Sequence, residues 1–228
     1  MLREKICFGQ SVGKKFNADG SARRFLGNTM ICLLDHDSEV FKRTVRERDL
    51  ISAALPRNVF SPLPDESLHM TAIEGVCDSV REEGYWTSLL PLDAPLKDVD
   101  DLFEEKWKEV PSFPSVNMRF DDLWIESGIC IGLYPATYSD DVLIRDWRDT
   151  VSEIMGLRFP GHDRYRFHIS LGYGISMPDE NEMRILEAFK SEFDGQCKRE
   201  GFVFTVPPAS MTYFDSMLFF NKTRIPRF

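Results

Sequence analysis

Two short stretches of the chain share one alternating pattern, and this repeat limits the possible folds more than any other feature. SLHMTAIEG spans residues 67–75 and RFHISLGYG spans residues 166–174, and both read apolar, His, apolar, hydroxyl, apolar. Side chains alternate between the two faces of a strand. Each stretch therefore predicts a strand with one buried apolar face and one face that carries a histidine and a hydroxyl.

The two histidines of this repeat are candidates for acid/base chemistry. A single such histidine is more often a partly buried structural residue. The chain has only four histidines, however, and His69 and His168 occupy the same local pattern in two plausible half-domains. Imidazole titrates near neutral pH, so one ring can act as a general base while the other acts as a general acid. Across a reacting phosphorus, two such rings could transfer the protons while Thr71 and Ser170 hold non-bridging phosphate oxygens, and this chemistry would need no metal.

The remaining sequence reads as alternating helices and strands. A polar arm with a turn at ADG covers residues 1–27. After it, the order strand, helix, strand, hairpin, helix, strand, helix, strand, strand indicates an α+β fold with a mainly antiparallel sheet. Strands are predicted at 28–34, 67–75, 115–125, 128–134, 165–174, 201–206 and 210–220, and helices at 39–55, 81–90, 98–110, 139–157 and 179–193.

Composition excludes several classes of function. The chain carries 28 basic and 37 acidic residues, a net charge of −9. This charge disfavours binding to duplex DNA, while a small anion in a locally basic pocket is still compatible with it. Five scattered cysteines without a CxxC pair argue against a zinc ribbon or a thioredoxin motif and suit a reducing compartment. Without a signal peptide or a long apolar run, the expected location is cytoplasmic, away from membranes. Oligomeric state leaves no trace in the sequence.

The doubled HMT and HIS pattern resembles the 2H phosphoesterase superfamily, whose signature is two H-x-[ST]-x motifs with apolar residues at x. KKFNADG at 14–20 and FLGNT at 25–29 are similar to an uncharacterised bacterial and fungal branch of it. The resemblance implies a bilobal LigT-like fold in which two mainly antiparallel sheets form a concave cleft with helices outside. It also implies one domain over residues 1–228, with two pseudo-symmetric lobes that carry His69 and His168.

The same resemblance implies a function. Members of the superfamily typically hydrolyse or form 2′,3′-cyclic or 2′-5′ phosphodiester linkages. The expected partner is a small nucleotide or an RNA end, with no cofactor. By this reasoning His69 and His168 are the acid/base pair, and Thr71 and Ser170 are phosphate ligands. The sequence leaves open which histidine is the acid. It also leaves open two alternatives, a non-catalytic nucleotide-binding or RNA-end-binding module and a structural domain with two incidental histidines.

The predicted site departs from the family pattern at its phosphate-binding cation. Several LigT-like members carry an arginine shortly after the second motif, where this chain has Tyr173. Tyr173 can hydrogen-bond phosphate but supplies no charge. Arg166 is the candidate replacement, because a residue two places before His168 shares its strand face. Tyr213 is a candidate for stacking on a base. His36 and His162 are interpreted as loop residues, and no metal site is predicted.

Overall fold

The computed structural model describes residues 5–224, which fold into nine strands and four helices. The strands are β1 (Gly27–Leu33), β2 (Phe60–Pro62), β3 (His69–Cys77), β4 (Asn117–Ile125), β5 (Gly128–Pro135), β6 (His168–Gly174), β7 (Val203–Thr205), β8 (Ser210–Ser216) and β9 (Phe219–Asn221). The helices are α1 (Glu39–Ala54), α2 (Leu96–Trp107), α3 (Tyr138–Met155) and α4 (Glu180–Glu200). The outermost residues of the predicted domain and arm, 1–4 and 225–228, lie outside the described part of the chain.

All nine described strands belong to one antiparallel sheet with the order β7-β4-β5-β6-β3-β1-β8-β9, and β2 pairs with β6. The two strands that carry the repeated motif, β3 and β6, are neighbours in the middle of this order. One residue pair, Met70 with Ile169, joins them in register. The predicted α+β class is therefore confirmed, and the two expected sheets are two halves of one sheet that meet at β3 and β6.

Helix boundaries follow from capping side chains. Thr137 and Asp140 form a capping box at the start of α3, and Asp179 forms another with Glu182 at the start of α4. Both helices end at a glycine in the left-handed region, Gly156 with φ 62° and Gly201 with φ 57°. The amphipathic patterns at 139–157 and 179–193 thus become helices close to their predicted positions.

The helices pack against both halves of the sheet. α4 packs on β4, and α1 contacts β2 and β6. α3 contacts β3 and β5 and also α2. Met70 and Ile169 are fully buried on the apolar face of the two motif strands, so the opposite face is left to carry the histidines and hydroxyls. None of the helices in residues 5–224 has the length and apolar character that a membrane span requires.

Three segments differ from the sequence prediction. Residues 81–90 form turns instead of a helix, because Gly84 adopts φ 82° and Arg81 donates to the carbonyls of Leu92 and Ala94. The predicted strand 210–220 is two strands, separated by a turn whose Met217 carbonyl accepts from Ser67. The proline-containing connection before the first motif includes β2, which pairs with β6.

The N-terminal arm is fixed on the sheet by backbone hydrogen bonds and by buried rings, among them Phe16. The described part of the arm spans residues 5–26. Cys7 donates its amide to the Glu126 carbonyl at 3.0 Å, and Gly9 donates to the Gly174 carbonyl at 3.0 Å. Phe16 is fully buried, and its ring lies 4.8 Å from that of Tyr173. The arm therefore lies directly beside the strand that carries the second motif.

Candidate active site

Both motif strands line one cleft of about 360 Å³. His69 and Thr71 on β3, and His168 and Ser170 on β6, all contribute to its wall, and so does Tyr173. The sequence prediction that these five side chains lie together thus agrees with their positions in the fold. Their catalytic and binding roles are separate questions, which the geometry of each side chain addresses.

The two histidines are held in the same way. Nδ1 of His69 lies 2.7 Å from the carbonyl oxygen of Ser67, and Nδ1 of His168 lies 2.9 Å from that of Arg166. A carbonyl oxygen can only accept a hydrogen bond, so both Nδ1 atoms carry the proton. Each neutral ring therefore keeps its Nε2 lone pair available, and each protonated ring can donate from Nε2.

The rings have different surroundings. His69 packs edge-on against Phe220, with ring centroids 4.4 Å apart. His168 lies 5.4 Å from the ring of Trp124 and 6.2 Å from that of Tyr165. Gly132 pairs with His168 across β5 and β6, and a Cβ there would come within 2.5 Å of the Trp124 indole nitrogen. Only glycine leaves room for the tryptophan beside this histidine.

Burial shifts the protonation equilibria of both rings. Burial lowers the pKa of His69 to about 4, and the nearby His168 adds to the shift. Burial also lowers the pKa of His168, while its hydrogen bond to the Arg166 carbonyl and the carboxylate of Glu74 oppose that shift. A carboxylate therefore favours the protonated form of His168, while His69 faces an aromatic ring.

The hydroxyls have supporting contacts of their own. Thr71 interacts with the hydroxyl of Tyr165, and Ser170 lies 3.5 Å from Sγ of Cys130. The Tyr165 ring in turn lies 4.1 Å from the guanidinium carbon of Arg148. Since these contacts come from α3, β5 and the loop before β6, three elements fix the polar face of the motif strands.

Arg148 connects Tyr165 to the residues of β3 that follow the first motif. Its side chain is almost fully buried, donates to the Ala72 carbonyl and lies 3.4 Å from a Glu74 carboxylate oxygen. Glu74 itself lines the cleft. A buried guanidinium is stable only when it has partners. Arg148 therefore fixes the β3 backbone at Ala72 and the carboxylate of Glu74, which raises the pKa of His168.

Lys15, on the N-terminal arm, is a cleft cation that sequence reasoning missed. Its Nζ lies 3.5 Å from the Tyr173 hydroxyl and about 5 Å from the ring centres of Phe25 and Tyr173. The charge interaction with Tyr173 raises the pKa of Lys15 more than burial lowers it. The signal was present in KKFNADG, but nothing in the sequence shows that the arm folds back over the second motif.

Two expected site residues lie elsewhere. The Arg166 side chain does not line the cleft: its guanidinium lies 3.7 Å from the Trp124 ring centre and 3.5 Å from Glu126. Arg166 contributes to the site through its backbone carbonyl, which accepts the hydrogen bond from Nδ1 of His168. The prediction that Tyr213 stacks on a base is wrong, because its side chain is 2% exposed and its hydroxyl donates to Glu104.

The other two histidines lie outside the cleft lining. The His36 ring stacks on Phe41 with centroids 4.3 Å apart. His162 is buried and lies 2.9 Å from Asp149. Among residues 5–224, the group of side chains spaced to hold a metal ion is Asp149, His162 and Asp163, and Arg158 pairs with both of its carboxylates. Arg158 therefore offsets part of the negative charge of this group.

Comparisons with known proteins find a family model and several solved structures that are similar to this chain. A sequence model described as "2H-phosphodiest: Domain of unknown function (DUF1868)" matches residues 15–127. The crystal structure of ATU0111, a conserved protein of unknown function from Agrobacterium tumefaciens, aligns with a TM-score of 0.85 and 30% identity over 94% of this chain and 91% of that one. The structure of Kluyveromyces marxianus Usb1 aligns with a TM-score of 0.42 and 10% identity, over 85% and 94% of the two chains. No curated protein matches the sequence.

Proposed function

This chain belongs to the 2H phosphodiesterase family, and we propose that it is a metal-independent phosphoesterase with His69 and His168 as its catalytic acid/base pair. The resemblance that the doubled motif suggested is thereby confirmed. The proposed substrate is a cyclic phosphate or a 2′-linked phosphodiester of a nucleotide or short RNA end. The proposed reaction is hydrolysis.

The observation that carries this proposal is the matched pair of Nδ1 hydrogen bonds. Ser67 and Arg166 hold the two rings through carbonyl oxygens in equivalent positions, each two residues before its histidine. A structural histidine usually satisfies both nitrogens, whereas here both Nε2 atoms belong to rings that line one cleft. Two such nitrogens on either side of a phosphorus supply a base and an acid.

The surroundings of the rings support one assignment of roles. His69, with its low pKa beside Phe220, is the base, and its Nε2 takes a proton from the attacking water. His168, near the Glu74 carboxylate, is the acid, and its Nε2 gives a proton to the departing ester oxygen. The water oxygen forms a bond to phosphorus as the bond to the leaving oxygen breaks. Proton exchange with solvent then restores both rings.

Positive charge and hydroxyls hold the phosphate in this scheme. Lys15 takes the place of the expected arginine, with Tyr173 beside its ammonium group. Thr71 and Ser170 donate hydrogen bonds to the non-bridging oxygens, where charge accumulates during the reaction. The two imidazoles perform the proton transfers, so no step requires a metal ion.

The test is a panel of 2′,3′-cyclic nucleotides, short 2′-5′ oligonucleotides and ADP-ribose cyclic phosphate, incubated with the protein in the presence of EDTA. We expect hydrolysis of at least one of them at the same rate with and without the chelator. Activity that disappears with EDTA would contradict the metal-independent mechanism. Tight binding of a ligand that is never turned over would instead identify a non-catalytic binding module.

A further inference from the structure

A second cavity of about 760 Å³ adjoins the cleft on the side of the N-terminal arm. The two cavities share Lys15, Phe25, Gly75, Cys77 and Phe159 as lining residues. We call the second cavity the basic bay. Lys15 lies where cleft and bay meet, so a molecule that contacts Lys15 from the cleft can continue into the bay.

The charge of the bay is opposite to that of the whole chain. The chain carries a net charge of −9. The bay is lined by Lys14, Lys15, Arg23 and Arg24, and Glu82 is the only acidic residue among its described lining residues. Within residues 5–224 no carboxylate pairs with Lys14 or Arg23. In an acidic protein such a patch concentrates anions locally.

The basic residues are held in place by the fold of the arm. The Arg23 amide donates to the Lys15 carbonyl at 2.8 Å, and its guanidinium donates to the neutral Asn17 side chain at 2.9 Å. The buried Phe16 anchors the segment between them. Arg23 is therefore preorganised, and within the described residues no carboxylate pairs with the charge of Arg23 or Lys14.

An aromatic pair forms part of the bay wall. The ring of Tyr85 lies 5.6 Å from that of Phe159, and the tyrosine is 40% exposed. Exposed aromatic rings beside basic side chains are the arrangement that binds single-stranded nucleic acid, because bases stack while phosphates pair with Lys and Arg.

We propose that the basic bay binds a second phosphate of the substrate and the nucleoside next to it. This inference rests on the proposed function. It narrows the substrate to a molecule with a reacting phosphate in the cleft and another phosphate on the side of Lys15. An oligonucleotide with a cyclic phosphate end has this chemistry, and so does a mononucleotide that bears an additional 5′-phosphate.

The experiment compares three substrates with the same reacting end: adenosine 2′,3′-cyclic phosphate, its 5′-phosphorylated form, and an ApA dinucleotide that ends in a 2′,3′-cyclic phosphate. We expect kcat/KM to be at least about tenfold higher for one or both of the longer substrates, a difference typical of one added charge-assisted contact. The preference should shrink as salt rises. If only the phosphorylated mononucleotide is preferred, the bay binds the second phosphate without the nucleoside. If the dinucleotide is preferred, the bay binds the nucleoside as well.

Charge substitutions then test whether the basic residues of the bay cause this substrate preference. Lys14→Glu and Arg23→Ala should lower the ratio of kcat/KM between the preferred and the shortest substrate, and Arg23→Lys should restore part of it. Arg184→Ala, on the exposed surface of α4, is the matched control and should leave the ratio unchanged.

The outcomes separate this inference from the proposed function. Equal kcat/KM on all three substrates, or a preference that survives both bay substitutions, would overturn the bay proposal while leaving the phosphoesterase intact. No turnover of any of them under any condition, with the protein folded, would overturn the proposed activity instead. In that event binding of the same three molecules, measured by calorimetry, still tests the bay.

Discussion

Met70 and Ile169 form the residue pair that joins β3 to β6, and each is the immediate neighbour of a motif histidine. His69 and Thr71 flank Met70 on β3, and His168 and Ser170 flank Ile169 on β6. This one pair therefore brings the two motifs side by side. The two buried side chains point away from the cleft, so the register of a single apolar pair aligns all four polar groups on the other face.

Replacement of either histidine should abolish most of the activity. We expect His69→Ala and His168→Ala each to lower kcat by about 100-fold to 10,000-fold, the usual contribution of a positioned acid or base. His36→Ala is the control, because its ring stacks on Phe41 at the surface. Full activity in either cleft variant would refute the site assignment.

A substrate with a good leaving group should distinguish the acid from the base. The departing nitrophenolate of a 4-nitrophenyl phosphodiester needs no proton. His168→Ala should therefore lose much less activity on this substrate than on a cyclic nucleotide, whereas His69→Ala should lose as much on both. The reverse result would exchange the two roles.

The pH dependence of kcat/KM should favour acidic conditions. The acid His168 must be protonated, and burial holds its pKa below the ordinary histidine value of 6.5. Activity should thus fall by about tenfold for each pH unit above 6.5. The base His69 must be neutral, and its pKa of about 4 keeps it neutral down to that pH. Initial rates between pH 4 and 9 measure both limbs, and an optimum above pH 8 would contradict this scheme.

Lys15 should matter much more than Arg166. Lys15→Met keeps the length of the side chain but removes the charge at the cleft, and kcat/KM should fall by about tenfold to 100-fold. Arg166→Ala removes a guanidinium that lies on Trp124 while its carbonyl still holds His168, so we expect less than about a threefold loss. A larger loss in the arginine variant would return the phosphate-binding role to Arg166.

The two motif hydroxyls should act on the transition state. Thr71→Val and Ser170→Ala keep the strand fold, and each should lower kcat by about tenfold or more with little change in KM. Cys130→Ala removes the thiol beside Ser170 and is the control for packing on that side. An effect confined to KM would show that the hydroxyls bind substrate and transition state equally.

Stability should fall in acid because of His69. Its folded pKa of about 4 lies below the ordinary histidine value of 6.5, so between these values the unfolded chain binds more protons than the folded one. The contribution of His69 to the free energy of unfolding is fully present above pH 6.5 and is lost as pH falls, by on the order of 2 kcal/mol at pH 5. His69→Gln should flatten this dependence in urea unfolding series at pH 7 and pH 5. An unchanged slope would place the acid sensitivity in other groups.

Much of the fold and the central pair of the site follow from local patterns. Period-two alternation marked the motif strands, and helical spacing with capping residues marked α3 and α4. His69 and His168 were identified because the same pattern recurs, a signal that requires no knowledge of the fold. The α+β class followed from the order of the elements.

The features that sequence reasoning missed depend on long-range contacts. Lys15 reaches the cleft only because Phe16 is buried against Tyr173, 157 residues away in sequence. Arg166 has the spacing of a site residue, but stacking on Trp124 places its side chain elsewhere. Tyr213 lies on a strand as predicted, yet β8 turns its ring into the core. The spacing of residues along a strand predicts the face of the sheet on which a side chain lies. The elements packed against that face determine which groups the side chain contacts.

The origin of Lys15 gives the cleft a polarity. The two motif strands supply matched groups, and on their own they would treat the two ends of a bound phosphodiester alike. Lys15 belongs to the arm, outside both strands, and Glu74 follows only the first motif. Positive and negative charge are therefore distributed unevenly across the cleft, although its histidines and hydroxyls are matched. A substrate therefore meets two histidines at matching strand positions in an electric field that is not symmetric, and that field orients it before any proton moves.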